Sequence, residues 1–176
     1  DEAHMRAVID GPIGKELLDK ITASSAKLVG LGWMDSGSRS MYTKNAIHTP
    51  ADLKGQKIRV MGNPMFVEMM NAMGGNGISM GHNDTFSALQ TGVVDGAENN
   101  PPTFFASNQY TAGPKFYSET THLIVPELFV MSKVTWDKFT KDEQALVLKL
   151  SREAQLEQRK LWDASVSDYV TRLKAS

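Results

Sequence analysis

Three stretches of the chain have apolar positions in patterns that predict β-strands. Residues 27–33 are apolar with interspersed glycines, as in a buried strand. Residues 57–61 alternate, so that the apolar side chains share one face and the polar ones the other. Residues 122–131 form a long apolar strand that contains Pro126. Because proline inside a strand marks an edge, a bulge or a crossing between sheets, one of these three is expected at Pro126.

Shorter signals complete the predicted order of elements. A turn is expected at residues 36–38, followed by short strands at 39–43, 78–80 and 93–98. The expected helical segments are residues 12–20, 49–55, 63–73, a segment that Asn83 or Asp84 caps and Gly92 stops, and one that begins at Pro101. Strands that alternate with helices of about ten residues predict an α/β fold with a largely parallel sheet.

The last quarter of the chain is predicted to be helical. Thr140 and Glu143 have the spacing of a capping box, which begins a helical tract that continues to the C-terminus. The apolar stripe expected to face the core of this helix is Leu146, Leu150, Ala154, Leu161 and Ala164.

Composition excludes several classes of function. The 176 residues include 41% hydrophobic and 22% charged residues, and the net charge is -1, which gives no reason to expect nucleic acid. There is no cysteine, so thiolate chemistry and cysteine-based zinc sites are excluded. No apolar run approaches the roughly 20 residues that cross a bilayer.

Sequence signatures of catalysis and of cofactor binding are missing. The glycines at 30 and 32 are followed by Asp35 where a dinucleotide fingerprint needs glycine, and there is no phosphate-binding loop. The four histidines share no metal-ligand spacing, and no serine has a nucleophile context. Asp95 and Glu98 lie across a glycine turn, where a structural role is favoured over acid–base catalysis. We therefore expect no cofactor, no metal and no catalytic residue.

Two arginines and one asparagine suit the capture of an anion. Arg39 and Arg59 come from successive predicted strands, and Asn99 follows the strand after two further helices. Guanidinium groups bind carboxylates with two parallel hydrogen bonds, and an asparagine amide serves hydroxyl or carboxylate oxygens. This spacing indicates binding of a small carboxylate rather than chemistry on it.

At these positions the chain resembles the solute-binding proteins of tripartite ATP-independent periplasmic (TRAP) transporters. The matching blocks are Gly-x-Arg at 37–39, TPADLKGQKIRV at 49–60, ALQTGVVDGAENN at 88–100 and the strand at 122–133. The resemblance implies an α/β, periplasmic-binding-protein-like fold with two lobes that close on an organic acid. It also implies delivery of that acid to a membrane permease, a periplasmic location, and a signal peptide that is not part of this sequence.

The resemblance also implies an organisation into lobes. Residues 37–125 would form one nearly complete ligand-binding lobe, residues 1–36 and 126–165 a remnant of the second lobe, and residues 166–176 the start of a segment packing across both. The chain would then be truncated at its N-terminus, and exposed apolar surface would favour a dimer or domain exchange.

The resemblance assigns roles to individual residues. Arg59 would be the principal carboxylate clamp, and Arg39 a second contact, with an ion pair to Asp35 or Asp52 as its structural alternative. Asn99 would contact the ligand, although asparagine is also a common turn residue.

Four further residues have structural alternatives that weigh as much as a binding role or more. Asn63 suits a helix N-cap, and a helix N-terminus beside the Arg59 strand also favours anions. His82 stands where many relatives have an aromatic in the pocket wall. Glu127 and His122, on the crossing strand, could meet sugar hydroxyls, but a structural or hinge role is favoured for both.

The doubled asparagine and the THLIVPELF strand resemble those of sugar-acid binders, which makes a hexuronate the preferred ligand. One alternative is a ligand-sensing receptor domain of the same fold. Another is an α/β enzyme, a lyase or isomerase, that acts on acid sugars.

Overall fold

The computed structural model describes residues 1–175. Its helices are α1 (Glu2–Asp10), α2 (Pro12–Ala23), α3 (Pro64–Ala72), α4 (His82–Thr91), α5 (Pro101–Ala106), α6 (Lys133–Trp136) and α7 (Lys141–Ala175). Its strands are β1 (Leu28–Thr43), β2 (Lys57–Val60), β3 (Asn76–Ser79), β4 (Gly96–Asn99) and β5 (Phe116–Ser132). Short 3₁₀ turns lie at Pro50–Leu53 and Gln109–Thr111.

The described chain divides into two compact units. The first unit contains residues 1–37 and 124–165, and the second contains residues 38–123 and 166–175. The long strands β1 and β5 each pass from one unit into the other. That these units are the lobes of a flytrap stays a prediction, as do the boundaries that the resemblance implies.

The sheet is mixed rather than largely parallel. Its strand order is β3-β2-β4-β1-β5, so β3 and β5 are the edges. Strand β2 pairs in parallel with β3 and with β4, whereas β1 pairs antiparallel with β4. The edge position of β5 explains how it tolerates Pro126, which has no N–H to donate to a neighbouring strand.

Strand β1 is continuous where a turn was expected at residues 36–38. Gly37 lies within it at φ +65°, a left-handed conformation that suits glycine, so the chain bends locally without ending the strand. A Cβ at this position would lie 2.9 Å from Nε1 of Trp162, in the same unit. The residues of a turn signal are therefore used for a local distortion inside one strand.

The second unit has an apolar core on each face of its sheet. Met41 and Tyr42 are adjacent on β1 and fully buried, and each belongs to a different core cluster. Met41 packs with Ile58, Val60 and Met70, and Tyr42 packs with Leu89, Val94 and Phe104. Helix α3 thus covers one face, and helices α4 and α5 cover the other.

Helix ends in the second unit largely follow the predicted chemistry. The Asn63 side chain accepts a hydrogen bond from the Met65 N–H and caps α3, and Gly92 ends α4 at φ +73°. The predicted N-cap, Asn83 or Asp84, is wrong, because α4 begins two or three residues earlier than expected, at His82, with Gly81 as its N-cap. Asn100 caps α5 by accepting from the Thr103 N–H.

The predicted core stripe of α7 is wrong. Three of its leucines are largely exposed: Leu146 at 53%, Leu150 at 50% and Leu161 at 64%. The buried residues of this helix are polar: Ser151, Gln155 and Arg159. Gln155 and Arg159 hydrogen-bond to Asp10, on α1, and Arg159 also to Asp35, on β1, which offsets the cost of burying these two polar side chains. Among residues 1–175, no helix combines the length and the apolar character that a membrane span requires.

Candidate functional site

The centre of the candidate site is a buried ion pair between neighbouring strands of the second unit. Arg39 on β1 donates from Nε to Oε2 of Glu98 at 2.6 Å and from Nη2 to Oε1 at 2.9 Å. Both side chains are almost fully buried, with 5% and 0% exposed. The expected ion-pair partners of Arg39, Asp35 or Asp52, are therefore wrong, and Glu98 takes that place.

Asn99 lies next to this pair, at the end of β4. Its Oδ1 accepts from Nη1 of Arg39 at 2.9 Å and from the backbone N–H of Asn100 at 2.9 Å. Its carbonyl oxygen accepts from the hydroxyl of Tyr117 at 2.8 Å. Asn99 is thus a buried strand residue, fixed on several sides, rather than a turn residue.

Arg59 occupies the middle of the sheet, on β2. Although the alternation places it opposite Ile58 and Val60, it is also buried, because β2 has neighbours on both sides and helices cover the sheet. Its Nε and Nη2 both donate to the Met80 carbonyl oxygen, at 3.0 and 2.7 Å. Within residues 1–175, no carboxylate lies at ion-pair distance from its guanidinium.

Burial lowers the pKa of Arg59, because removal from water disfavours the charged form. The negative charge of Glu98 opposes this effect, and the positive charge of Arg39 adds to it. Arg59 remains protonated all the same, since arginine is not deprotonated in proteins. Among its described residues, the second unit therefore holds a buried positive charge without a carboxylate at ion-pair distance.

Glu98 is the one carboxylate that balances this cluster. Its burial would raise the pKa of its carboxyl, but His122 and Arg39 more than offset that effect and hold the pKa below its ordinary value. Glu98 is consequently ionised at neutral pH. The second unit thus holds two buried guanidinium groups, and Glu98 pairs with one of them, that of Arg39.

His122 borders the cluster from β5. Its Nε2 lies 3.5 Å from Oε2 of Glu98, too far for a good hydrogen bond, and its Nδ1 lies 2.8 Å from Oγ1 of Thr120. The preceding residue, Thr121, has φ +41°, so the strand is locally distorted there. These contacts suit the favoured structural role, although contact with a ligand hydroxyl stays untested.

The other candidates are spread over helix ends and the first unit. The amide oxygen of Asn63 is occupied by capping α3. His82 is exposed at the first turn of α4, and its Nε2 lies 3.1 Å from Oγ of Ser107. Glu127 is exposed on the part of β5 that belongs to the first unit. The arrangement thus brings Arg39 and Asn99 into direct contact, whereas the ligand contacts of all six residues stay predictions.

Two features of the site were missed by sequence reasoning. Glu98 was assigned a structural role with Asp95, but its pairing with Arg39 was not predicted. Asp95 does have a structural role, because its Oδ2 accepts from the Lys57 N–H at 2.8 Å. The Met80 carbonyl contact to Arg59 was also missed. Glu98 could have been found from its place between Ala97 and Asn99, because a charge inside a buried strand requires a partner.

Metal binding has no support in the described part of the chain. Residues 1–175 contain no group of three or more histidine, aspartate or glutamate side chains placed to bind a metal ion. The chemistry that the cluster offers is hydrogen-bond donation to an anion from two guanidinium groups.

Solved structures with this fold come from several bacteria. The chain is 59% identical to a TRAP periplasmic solute-binding protein from Pseudomonas putida F1 with bound D-glucuronate, with a TM-score of 0.96. That alignment covers 99% of this chain and 57% of the other. A TRAP protein from Xanthobacter autotrophicus Py2 with bound β-D-galacturonate is 41% identical, with a TM-score of 0.94, over 99% of this chain and 58% of the other.

Curated sequences agree with the structures. A solute-binding protein from Chromohalobacter salexigens is 37% identical over 163 residues, which is 92% of this chain and 48% of the relative. The chain thus spans about half the length of the curated relatives it matches. The sequence profile of bacterial extracellular solute-binding protein, family 7 (DctP), matches residues 1–176. The predicted resemblance is therefore confirmed, and the chain belongs to family 7 of the bacterial extracellular solute-binding proteins.

Proposed function

We propose that this chain belongs to a periplasmic protein that captures a hexuronate by its carboxylate and delivers it to the membrane permease of a TRAP transporter. The observation that carries the proposal is the charge imbalance in the second unit. Arg59 is buried and charged, and it has no carboxylate within ion-pair distance among residues 1–175. Because an isolated buried charge is costly, such a site favours an anion that supplies the missing partner.

A ligand carboxylate suits this position better than an inorganic cation or a neutral sugar. The guanidinium of Arg59 uses Nε and Nη2 on the Met80 carbonyl, which leaves Nη1 to donate to an anion. Arg39 is held by Glu98 and Asn99, so its guanidinium adds fixed positive charge nearby. Asn99 would then serve a hydroxyl or carboxylate oxygen through its Nδ2 group.

Two observations support a sugar acid in particular. The aligned structures from P. putida and X. autotrophicus contain D-glucuronate and β-D-galacturonate. In this chain the Phe66 ring centroid lies 6.0 Å from Cζ of Arg39, so an apolar surface adjoins the charged one. A pyranose ring has an apolar face that packs on such a ring, while its carboxylate binds the arginines. Asn63, His82 and Glu127 stay candidates for contacts to the hydroxyls.

This function requires neither a cofactor nor catalysis. Binding would shift an equilibrium between open and closed states, because the closed state makes more contacts with the acid. A permease would recognise the closed state. The relatives reported above are solute-binding proteins, and the extracellular character of the family supports a periplasmic location.

Calorimetric titration tests the proposal. D-glucuronate and D-galacturonate are titrated into the chain and into Arg59→Ala, with D-glucose as the uncharged control. We expect both acids to bind, D-glucose not to bind, and Arg59→Ala to lose at least about tenfold in affinity, because a charge-assisted pair is removed. The matched variant is Arg152→Ala, which removes an arginine of the first unit and should leave binding unchanged. Equal affinity of Arg59→Ala and wild type would refute the role of Arg59.

The predicted self-association also stays a proposal. The exposed leucines at 146, 150 and 161 of α7 support it, because a second copy of the helix could cover them. Light scattering of the wild type and of a Leu146→Glu/Leu150→Glu variant tests the idea. We expect association in the wild type and a monomer in the variant, and a monomeric wild type at high concentration would contradict the proposal.

A further inference from the structure

The second unit contains a cavity whose lining does not include the arginine cluster. Its volume is about 650 Å³, within the range of small-molecule sites. It is formed by α5, the segment before β5, the first residues of β5 and the end of α7. None of Arg39, Arg59, Glu98 and Asn99 lines it, so it is separate from the carboxylate site proposed above.

Five aromatic side chains form most of the apolar surface of this aromatic cavity. They are Phe104, Phe105, Tyr110, Phe116 and Tyr117. The Phe105 and Tyr110 ring centroids are 5.2 Å apart in a tilted arrangement, and those of Phe104 and Tyr117 are 5.3 Å apart. Phe116 and Tyr110 are nearly half exposed, at 47% and 45%. Rings exposed at a concave surface offer a binding site for a flat apolar group.

The walls of the aromatic cavity are held by contacts inside the unit. Phe105 stacks on Tyr169 of α7 with ring centroids 5.1 Å apart. The Tyr117 hydroxyl donates to the Asn99 carbonyl, and the Lys115 N–H donates to the Thr43 carbonyl at 3.0 Å. A cavity with fixed walls loses less conformational entropy when a ligand binds.

The charges at this cavity favour an anion. Lys115 and Lys174 line it, and neither forms an ion pair with a carboxylate within residues 1–175. Glu119 is the single acidic residue among the described lining residues, and no ion pair joins it to either lysine within residues 1–175. The described lining residues thus have a net charge of +1 beside an aromatic surface, which complements a molecule with one apolar body and one negative group.

We propose that the aromatic cavity binds a small aromatic carboxylate, with its ring against the aromatic side chains and its carboxylate at Lys115 and Lys174. The lining of this site includes none of Arg39, Arg59 and Asn99, although its Tyr117 contacts the Asn99 carbonyl. A hydrophilic sugar acid would gain little from the aromatic walls, whereas an aryl carboxylate uses both the apolar and the charged surface.

Calorimetric titration of the full chain with 2-naphthoate tests this proposal, with 2-naphthalenemethanol as the uncharged analogue. We expect saturable naphthoate binding and at least fivefold weaker binding of the alcohol. The variant Lys115→Met/Lys174→Met keeps the apolar stems and removes both charges, so its naphthoate affinity should fall by about fivefold to tenfold. Glu119→Gln is the matched control, because it removes a negative charge from the same lining. It should bind naphthoate as tightly as wild type or more tightly.

Two further variants separate this site from the uronate site. Phe116→Ala should weaken naphthoate binding, because it removes an exposed ring of the cavity. Arg59→Ala should bind naphthoate as wild type does, whatever its affinity for D-glucuronate. The proposal would be overturned if Arg59→Ala lost naphthoate binding while the double lysine variant kept it. Equal binding of the alcohol would overturn it too, as would no saturable binding of naphthoate at millimolar concentration.

Discussion

Buried charges are arranged differently in the two units. In the first unit, Asp35 pairs with Arg6 and Arg159, and Asp10 pairs with Arg159 and Arg152. Asp163 pairs with Arg6 as well, so three arginines meet three aspartates. In the second unit, Arg39 pairs with Glu98, whereas Arg59 has no carboxylate at ion-pair distance among residues 1–175.

The difference indicates which buried charges stabilise the fold and which are available to bind a ligand. The side chain of Asp35 is 1% exposed, and its two arginine partners satisfy it within the unit. Arg59 is buried as well, but it donates only to a backbone carbonyl, Met80. A buried charge is costly unless it is paired. We therefore interpret a network whose arginines and carboxylates pair with one another as structural, and one with an unpaired arginine as a binding site.

The largest effect on stability is expected from Glu98→Gln. The substitution keeps the volume but leaves Arg39 as a second buried guanidinium without a carboxylate. Breaking a buried ion pair costs about 3–5 kcal/mol, so we expect a loss of that order in the free energy of unfolding, measured by urea denaturation. A loss below about 1 kcal/mol would mean that Glu98 contributes no more than a surface ion pair.

A similar loss, about 3 kcal/mol, is expected from Asp35→Asn in the first unit, because Arg6 and Arg159 lose a shared buried partner. Since the uronate site is proposed for the second unit, affinity for D-glucuronate should not change in this variant. Asp19→Asn, which removes an exposed pair with Lys15, is the control and should cost less than about 1 kcal/mol. A loss of uronate affinity in Asp35→Asn would contradict the division into a structural and a binding network.

Arg59→Met should have the opposite combination of effects to Asp35→Asn: unchanged stability and lower affinity for D-glucuronate. Removal of a buried charge that has no carboxylate partner relieves its desolvation, so we expect the free energy of unfolding to stay within about 1 kcal/mol of wild type or to rise. The affinity for D-glucuronate should nevertheless fall. Urea denaturation and calorimetric titration of the same preparation measure the two effects. A destabilisation comparable to that of Glu98→Gln would show that Arg59 is structural.

Local sequence signals predicted the parts of the fold that depend on neighbours along the chain. The Asn63 cap, the Gly92 stop and the capping box at Thr140 and Glu143 are confirmed, because each is decided within one helical turn. The Thr140 N–H and the Glu143 carboxylate bond at 2.7 Å, as the spacing requires. The turn expected at 36–38 was wrong because strand pairing, not the local glycine, decides whether the chain continues.

Partners distant along the chain could not be predicted. The predicted stripe rested on the assumption that α7 contacts the core through its leucines, at positions 146, 150 and 161. The helix instead buries polar residues, because their partners are Asp10 and Asp35, more than a hundred residues earlier. For the same reason the pairing of Arg39 with Glu98 was missed, whereas the candidate residues Arg39 and Asn99, now in direct contact, followed from residue chemistry and the family resemblance.

The smallest of the expected effects is the change in the free energy of unfolding between pH 7 and pH 5. Arg39 and His122 lower the pKa of Glu98 despite its burial, and the bond to Arg159 lowers that of Asp10 in the first unit. A carboxyl whose folded pKa is lowered binds more protons when unfolded, so it stabilises the fold above its unfolded pKa and loses that contribution as pH falls through the folded pKa. We expect the free energy of unfolding to be nearly constant down to pH 5. It should fall below the ordinary glutamate value of 4.5.

Two variants of the second unit show which side chains contribute to this loss of stability at acid pH. Urea denaturation from pH 7 to pH 3 should give a shallower decline for Glu98→Gln than for wild type, because one carboxyl with a lowered pKa is gone. Arg59→Met should keep nearly the full decline, because its guanidinium has no carboxylate at ion-pair distance within residues 1–175. If Arg59→Met instead lost as much of the acid dependence as Glu98→Gln, Arg59 would be electrostatically part of the Glu98 pair. The second unit would then be as balanced as the first, and the argument for an anion at Arg59 would fail.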